Sequence, residues 1–178
     1  FSNMKSVEFD GTAGKYLQTT ENLLKESFTC SLWFKTSTYN SQALVFKKYT
    51  TGNNGFTIYA RNNVIEIDFW YDAVGQNYFE VKSASYSLNE WNHVVVSISA
   101  SDITDRHIYI NGINATASNT SVQESTVSAN TNADYVRIGH AETALGFNGI
   151  IDEVSFYESV LSAADVASIY NNGTPGNI

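Results

Sequence analysis

The sequence predicts an all-β domain, a sandwich of antiparallel strands, from three observations. Apolar and polar residues alternate with a period of two in several segments, as expected for half-buried strands. Aromatic residues make up 13% of the chain and proline occurs once, a composition that favours strands over helices. Turn residues separate the alternating segments at short intervals, which is typical of sandwiches.

The first clear strand covers residues 28–35. Phe28, Cys30 and Leu32 lie on one face, and Trp33 lies on the other. Cys30 is therefore predicted to be an inert thiol in the core. Further strands are predicted at Ser6–Phe9, Ala43–Lys47, Phe56–Ala60, Tyr78–Lys82, Asn92–Ser99, Arg106–Ile110, Ile113–Thr116, Tyr135–Gly139 and Ile151–Tyr157.

A second clear strand runs from residue 64 to residue 72. Its odd-numbered positions are apolar or aromatic, and its even-numbered positions carry Glu66, Asp68, Trp70 and Asp72. Since neighbouring side chains of a strand point to opposite faces, these four residues share one face. Glu66 and Asp68 are predicted to be polar residues of a solvated sheet face.

The connections between the strands are also predicted from short sequence signals. Asn111-Gly112 predicts a β-hairpin, because a type I′ turn needs positive φ at both central residues. Ser162 and Asp165 resemble a capping box that begins one short helix near the end of the chain. Residues 117–132 are almost entirely small and polar, which predicts a long surface connection.

Charge and length limit the classes of function. The 178 residues carry 18 acidic and 10 basic side chains, a formal charge of −8 without a basic cluster. This excludes nucleic-acid partners, and no apolar run reaches the roughly 18 residues of a membrane span. We expect one domain over residues 1–178 and, since the chain begins at Phe1 without a leader, a piece of a larger protein.

Several motifs then occur in a familiar order. They are Ser6-Val7-Glu8-Phe9-Asp10-Gly11, the strand 28–34, Trp91-Asn92-His93-Val94-Val95-Val96, Ile108-Tyr109-Ile110-Asn111-Gly112, and the segment 147–157 followed by Leu161-Ser162-Ala163-Ala164-Asp165. The sequence resembles a laminin-G-like domain of the concanavalin A-like lectin/glucanase superfamily over essentially its whole length. The resemblance implies a jelly roll of two curved antiparallel sheets, a concave face, and rim loops that often bind Ca²⁺.

The resemblance also implies where calcium would bind. Asp10 after the first strand and Asp152 at the start of the last strand match the expected ligand positions, because these strands should be neighbours. Ca²⁺ takes oxygen ligands from carboxylates, carbonyls and water, so we expect a structural ion there. The alternative is that Asp10-Gly11 is only a turn and Asp152 only a polar residue of an edge strand.

The segment Glu66-Ile67-Asp68-Phe69-Trp70 is similar to the catalytic strand of laminarinase-type glucanases. Such enzymes alternate a nucleophilic Glu, an Asp and an acid/base Glu, and retaining hydrolysis needs two carboxyl groups about 5 to 5.5 Å apart. Here Trp70 stands where the acid/base Glu is expected. The protein is therefore predicted not to be an enzyme, and a degenerate glucanase is the lesser alternative.

Sugar binding requires flat aromatic rings beside hydrogen-bonding groups. The candidate ligand-binding residues on the polar sides of the predicted strands are Trp33, Glu66, Asp68, Trp70, Asp72 and Tyr78. The alternatives are that the aromatic residues fill space beneath loops, or that the loops at 53–54 and 71–77 form a rim site instead.

These residues predict a non-catalytic carbohydrate-binding module of a larger secreted, cell-surface or viral protein. The charge of −8 favours a neutral polysaccharide unless calcium bridges an anionic one. The alternative is a protein-binding or structural adhesion module, with a protein receptor as its partner.

Overall fold

In its described residues, the computed structural model of the chain contains two antiparallel sheets and one α-helix. It describes residues 6–19, 27–49, 55–70, 78–99, 102, 104–122, 133–141 and 145–173. The strands are β1 (Val7–Asp10), β2 (Leu17–Thr19), β3 (Phe28–Thr36), β4 (Gln42–Tyr49), β5 (Gly55–Arg61), β6 (Val64–Trp70), β7 (Tyr78–Ser85), β8 (Asn92–Ile98), β9 (Arg106–Ile110), β10 (Ile113–Asn114), β11 (Thr116–Val122), β12 (Ala133–Ile138) and β13 (Asn148–Tyr157). Helix α1 spans Ala163–Tyr170, and a 3₁₀ turn follows at Asn171–Gly173.

The two sheets form a jelly-roll sandwich. The six-stranded sheet has the order β1-β13-β3-β8-β9-β10, and the seven-stranded sheet has the order β11-β7-β6-β5-β4-β12-β2. Strands that are distant in the chain pair as neighbours, such as β1 with β13. The predicted all-β fold with one short C-terminal helix is confirmed.

The core lies between the two sheets, where their inward-facing side chains meet. Phe28 of β3 stacks on Phe56 of β5 with ring centroids 4.9 Å apart, and Ile67 of β6 belongs to the same cluster. Cys30 is 1% exposed in this core, and burial raises the pKa of its thiol. The alternation in β3 and β6 therefore predicted correctly which side chains point inward.

Two hairpins use left-handed turn residues. Asn111 and Gly112 have φ of 51° and 76°, which confirms the predicted turn between β9 and β10. Asn62 and Asn63 have φ of 49° and 69° and join β5 to β6 in the same manner. Asparagine tolerates this conformation better than other non-glycine residues because its short polar side chain bonds locally, so two asparagines suffice for this turn.

The predicted strand map was wrong at one place and incomplete at another. β11 occupies Thr116–Val122, in a segment predicted to be a surface connection, and pairs with β7. As an edge strand it is held by backbone hydrogen bonds on one side, so its sequence needs no apolar alternation. The short strand β2 was not predicted, and residues 123–132 lie outside the described part of the chain.

Helix α1 begins as predicted and packs on the outside of the six-stranded sheet. The Ser162 hydroxyl accepts from the Asp165 N–H, and the Asp165 carboxylate accepts from the Ser162 N–H, which completes a capping box. Val166 is buried against Val95 and Tyr109 of the sheet. No helix within the described residues is long and apolar enough to cross a membrane.

Candidate functional site

The outer face of the six-stranded sheet, called here the six-strand face, is covered by α1. Trp33 is 2% exposed, and its ring centroid lies 4.9 Å from that of His93 and 5.8 Å from that of Tyr170. No side of the Trp33 ring is open to a sugar. The prediction that Trp33 stacks on a ligand is therefore wrong, because the C-terminal helix folds back over it.

His93 shares this covered environment. Its Nε2 lies 2.9 Å from the Ser31 hydroxyl oxygen, and its ring stacks with Tyr170 at a centroid distance of 5.7 Å. Burial lowers the pKa of His93 to about 4, so the imidazole is neutral near pH 7. Trp33, His93 and Tyr170 together attach the helix to the sheet.

The outer face of the seven-stranded sheet, called here the seven-strand face, carries charged and aromatic groups. Strand register places its residues in rows across β7, β6, β5, β4, β12 and β2. The residues of this face with described side chains include Glu80 and Lys82 of β7, Glu66 and Asp68 of β6, Thr57, Tyr59 and Arg61 of β5, Ala43 and Phe46 of β4, Tyr135 and Arg137 of β12, and Gln18 of β2.

One half of the seven-strand face, called here the carboxylate-rich half, is a network of ion pairs. Glu66 pairs with Arg61 and, at 3.4 Å, with the Nζ of Lys82. Arg61 also lies 3.3 Å from the Asp68 carboxylate, and Lys82 lies 2.7 Å from Glu80. Oxygen atoms of the three carboxylates lie within 4.8 Å of one another. The two cations offset two of the three negative charges, so the cluster keeps one.

The structure separates the two acidic residues of β6. Glu66 is 2% exposed beneath Arg61 and Lys82, so the prediction that it lies on a solvated surface is wrong. Asp68 remains half-buried, and its burial raises the pKa of the carboxyl although Arg61 opposes the shift. Among the described residues, one Asp68 oxygen, Oδ1, has no hydrogen-bond partner.

The remaining predicted ligand-binding residues lie at the border of the described part. Trp70 pairs with Tyr78 at the ends of β6 and β7, two positions along from the Asp68–Glu80 pair. The side chains of Trp70 and Tyr78 lie outside the described part, as do Asp72 and the loops at 50–54 and 71–77. Their predicted role in binding stays a prediction.

The other half of the seven-strand face is aromatic. Tyr59 and Tyr135 are half-buried and pack around Ala43 and Phe46, and the Arg61 guanidinium carbon lies 4.5 Å from the Tyr59 ring centroid. Such a patch offers apolar surface beside charged hydrogen-bonding groups. That combination is what the C–H face and the hydroxyl groups of a sugar require.

Register does not support the predicted calcium pair. Asp10 lies opposite Asn148 on β13, and Asp152 lies four residues further along that strand, about 13 Å away at the usual rise of a strand. The Asp10 carboxylate instead accepts from the Thr12 N–H and pairs with Lys15, which lowers its pKa. Asp10 and Asp152 therefore do not fit as joint ligands of a single ion.

The sequence analysis missed the partners of the predicted acidic residues. Lys82 and Glu80 alternate with apolar residues in β7, and Tyr59 and Arg61 do the same in β5. This alternation could have placed each pair on an outer face. Only the pairing of β5, β6 and β7 brings them to Glu66, because the three strands are separate segments of the chain.

Comparison with known proteins gives a family and a set of similar folds. A laminin-G-type family model, described as concanavalin A-like lectin/glucanases superfamily, matches residues 10–167. A search of curated proteins by sequence found no match.

Similar solved structures include an SAP-like pentraxin from Limulus polyphemus, with 14% identity, a TM-score of 0.68, and coverage of 93% of this chain and 81% of that one. Domain 4 of the extracellular GH43 arabinanase AbnA from Geobacillus stearothermophilus, in complex with arabinotriose, has 17% identity, a TM-score of 0.68, and coverage of 95% and 78%. The Ruminococcus gnavus IT-sialidase CBM40 bound to α2,3 sialyllactose has 17% identity, a TM-score of 0.68, and coverage of 93% and 98%. At these identities the likeness shows a shared fold.

Proposed function

The chain belongs to the concanavalin A-like lectin/glucanase superfamily, and from that premise we propose that it is a non-catalytic carbohydrate-binding module whose binding surface is the seven-strand face. One observation carries the proposal. Of the two outer faces, one is closed by α1 over Trp33, whereas the other carries partly exposed aromatic rings next to charged groups. The fold alone does not decide function, so the argument rests on this face.

Each half of the face supplies one component of sugar recognition. The rings of Tyr59 and Tyr135 would pack against the C–H face of a pyranose. Asp68 and Glu80 would accept hydrogen bonds from sugar hydroxyl groups, and Asp68 Oδ1, which has no partner among the described residues, gains one in that arrangement. Lys82 would donate to ring or hydroxyl oxygen atoms.

The similar structures support carbohydrate as the ligand class. The arabinanase domain was solved with arabinotriose and the sialidase module with sialyllactose. The charge of −8 favours a neutral polysaccharide along the carboxylate-rich half of the face. In this proposal the chain serves as the recognition part of a larger secreted, cell-surface or viral protein.

A glycan array followed by calorimetry on the best ligand tests the proposal. Tyr59→Ala and Tyr135→Ala should each weaken binding about tenfold, the effect of losing a stacking contact of about 1.4 kcal/mol. Tyr157→Ala is the matched control, because Tyr157 is a partly exposed tyrosine on β13 of the other sheet and should leave affinity unchanged. An array without a single ligand would reject carbohydrate binding and favour the alternative, a protein-binding or adhesion module.

A second candidate function, retaining glycoside hydrolysis, has one observation in its favour. Glu80 of β7 lies beside Glu66 and Asp68, so a third carboxyl comes from the neighbouring strand, although Trp70 replaces the expected Glu. The ion pairs of Glu66 with Arg61 and Lys82 leave it little room to attack a sugar. Release of reducing sugar from a glycan that binds, lost in Glu66→Gln but kept in Glu8→Gln, would establish this activity over binding alone.

A further inference from the structure

Arg137 differs from Arg61 and Lys82, the other described cations of the seven-strand face, because no described carboxylate pairs with it. Its Nε–H donates to the side-chain oxygen of Gln18 at 3.0 Å. Arg61 and Lys82 on the same face each contact two carboxylates. Among the described residues, no carboxylate oxygen lies within the 4.0 Å ion-pair distance of Arg137.

The guanidinium of Arg137 is held in a fixed plane. Its central carbon lies 4.2 Å from the ring centroid of Tyr16 and 4.3 Å from that of Tyr135, so the group is sandwiched between two tyrosines. Because Nε is bonded to Gln18, the N–H groups of the two terminal nitrogens remain at the edge of the two stacked tyrosine rings. A planar guanidinium that is already ordered loses little freedom when it forms a two-pronged bond to a carboxylate.

The surroundings of Arg137 contain one further donor that lacks an acceptor among the described residues. It belongs to His140, which is 5% exposed and packs tilted against Tyr16 at a centroid distance of 5.9 Å. Its Nε2 accepts from the Gly14 N–H at 3.1 Å, so its proton is on Nδ1, and that buried atom has no hydrogen-bond partner in the described part of the chain. Burial and the charge of Arg137 lower the pKa of His140 and keep the ring neutral. The terminal N–H groups of Arg137 and the Nδ1–H of His140 thus have no hydrogen-bond acceptor among the described residues, which favours an anionic acceptor as the ligand.

We propose that this end of the seven-strand face, with Arg137 held between Tyr16 and Tyr135, binds the carboxylate of an acidic sugar. The inference rests on the proposed carbohydrate-binding function and refines it. The carboxylate-rich half of the face receives neutral sugar units, and the Arg137 end receives a unit that carries a carboxylate. Tyr135 connects the aromatic half of the face to the Arg137 end, since it packs against Phe46 and against Arg137.

The first experiment tests the carboxylate site without any sugar. Sodium acetate is titrated into the intact chain, with sodium chloride at equal ionic strength as the reference, and the Nε–H resonance of Arg137 is followed by NMR. We expect a saturable shift with acetate that chloride does not produce. Lys35→Gln, which removes one positive charge from β3 of the other sheet, should keep the shift. A response that chloride reproduces in full would overturn the inference.

The second experiment compares glucuronate with its methyl ester, which keeps the sugar ring and removes the negative charge. Glucuronate should bind about tenfold more tightly than the ester. Arg137→Gln and Arg137→Lys should both abolish the preference, because lysine keeps the charge but not the planar fork, and Lys35→Gln should preserve it.

The outcomes separate the inference from the proposed function. Equal binding of glucuronate and its ester, with both lost in Tyr135→Ala, would overturn the carboxylate site and leave carbohydrate binding intact. A saturable acetate shift that chloride does not reproduce, in a chain that binds no glycan on the array, would support the carboxylate site and reject the sugar as its source.

Discussion

The two outer faces of the sandwich place outward-pointing residues of their strands in different environments. Trp33 on β3 and the Glu66/Asp68 pair on β6 both lie on the side of a strand that faces away from the core. On the six-strand face α1 covers Trp33, which is buried against His93 and Tyr170. On the seven-strand face the carboxylates pair with Arg61 and Lys82 from neighbouring strands. Facing away from the core therefore does not mean facing solvent.

The contrast also separates stability from recognition. The covered face holds neutral, buried and stacked groups such as Trp33, His93 and Val166. The other face holds half-buried rings and charged groups. Two of these charged groups, Asp68 and Arg137, have side-chain atoms that can form further hydrogen bonds. Substitutions on the first should change mainly the free energy of unfolding, and substitutions on the second should change mainly binding.

The largest effect is expected from Trp33→Ala. Removing this buried ring leaves a cavity between β3 and α1, which should lower the free energy of unfolding by about 3 to 5 kcal/mol. Urea unfolding followed by circular dichroism measures it, and Trp33→Phe should cost less because it keeps an aromatic ring against Tyr170. A cost below about 1 kcal/mol would show that the helix does not hold this face closed.

Arg61→Met tests the opposite face. It leaves the buried Glu66 carboxylate with only the more distant Lys82, which should lower the free energy of unfolding by about 3 kcal/mol. The double variant Arg61→Met with Glu66→Gln should recover much of the loss, since the buried negative charge at residue 66 is then gone. If the double variant is as unstable as the single one, packing by the Arg61 stem rather than its charge matters, for example its contact with Tyr59.

The pH dependence of stability also distinguishes the two faces, because the six-strand face has a neutral buried histidine. The pKa of His93 is about 4 in the folded chain, against an ordinary value of 6.5. Between these values the unfolded chain binds the extra proton, so the free energy of unfolding falls as the pH is lowered. From pH 6.5 to pH 4.5 this residue should account for a loss of about 2 kcal/mol.

His93→Gln provides the comparison, because its amide can still reach the Ser31 hydroxyl. The variant should lose about 2 kcal/mol less than the natural chain over the same pH interval, as measured by urea unfolding at each pH. Parallel losses in the two proteins would mean that His93 titrates as an exposed histidine and that α1 does not exclude water from it.

The smallest effect concerns the start of the helix that covers the six-strand face. Ser162→Ala removes the hydroxyl that accepts from the Asp165 N–H and should cost about 1 kcal/mol. Ser168→Ala, at an exposed position inside the same helix, is the matched control and should change stability by less than about 0.5 kcal/mol. Equal costs for both variants would show that the capping box contributes nothing particular.

Much of the fold could be predicted because its signals are local. The alternation at Phe28–Phe34 and at 64–70, the Asn111-Gly112 turn and the Ser162 cap each depend on a few consecutive residues, and each was found as predicted. β11 was not predicted because the sequence of this polar edge strand does not alternate between apolar and polar residues. The candidate site was predicted less well, since Glu66 is buried and its partners Arg61 and Lys82 come from other strands.

The sequence by itself determined that this is an all-β sandwich of a known superfamily and which side chains point to its core, because the period of a strand is two residues and needs no distant partner. Only the tertiary structure decided three further features. Tyr170 and its helix close one outer face over Trp33, Asp10 and Asp152 lie too far apart to share an ion, and Arg137 on β12 contacts Tyr16. Each feature depends on contacts between segments far apart in the chain, and these contacts are set by strand register and helix packing, which no local sequence pattern encodes.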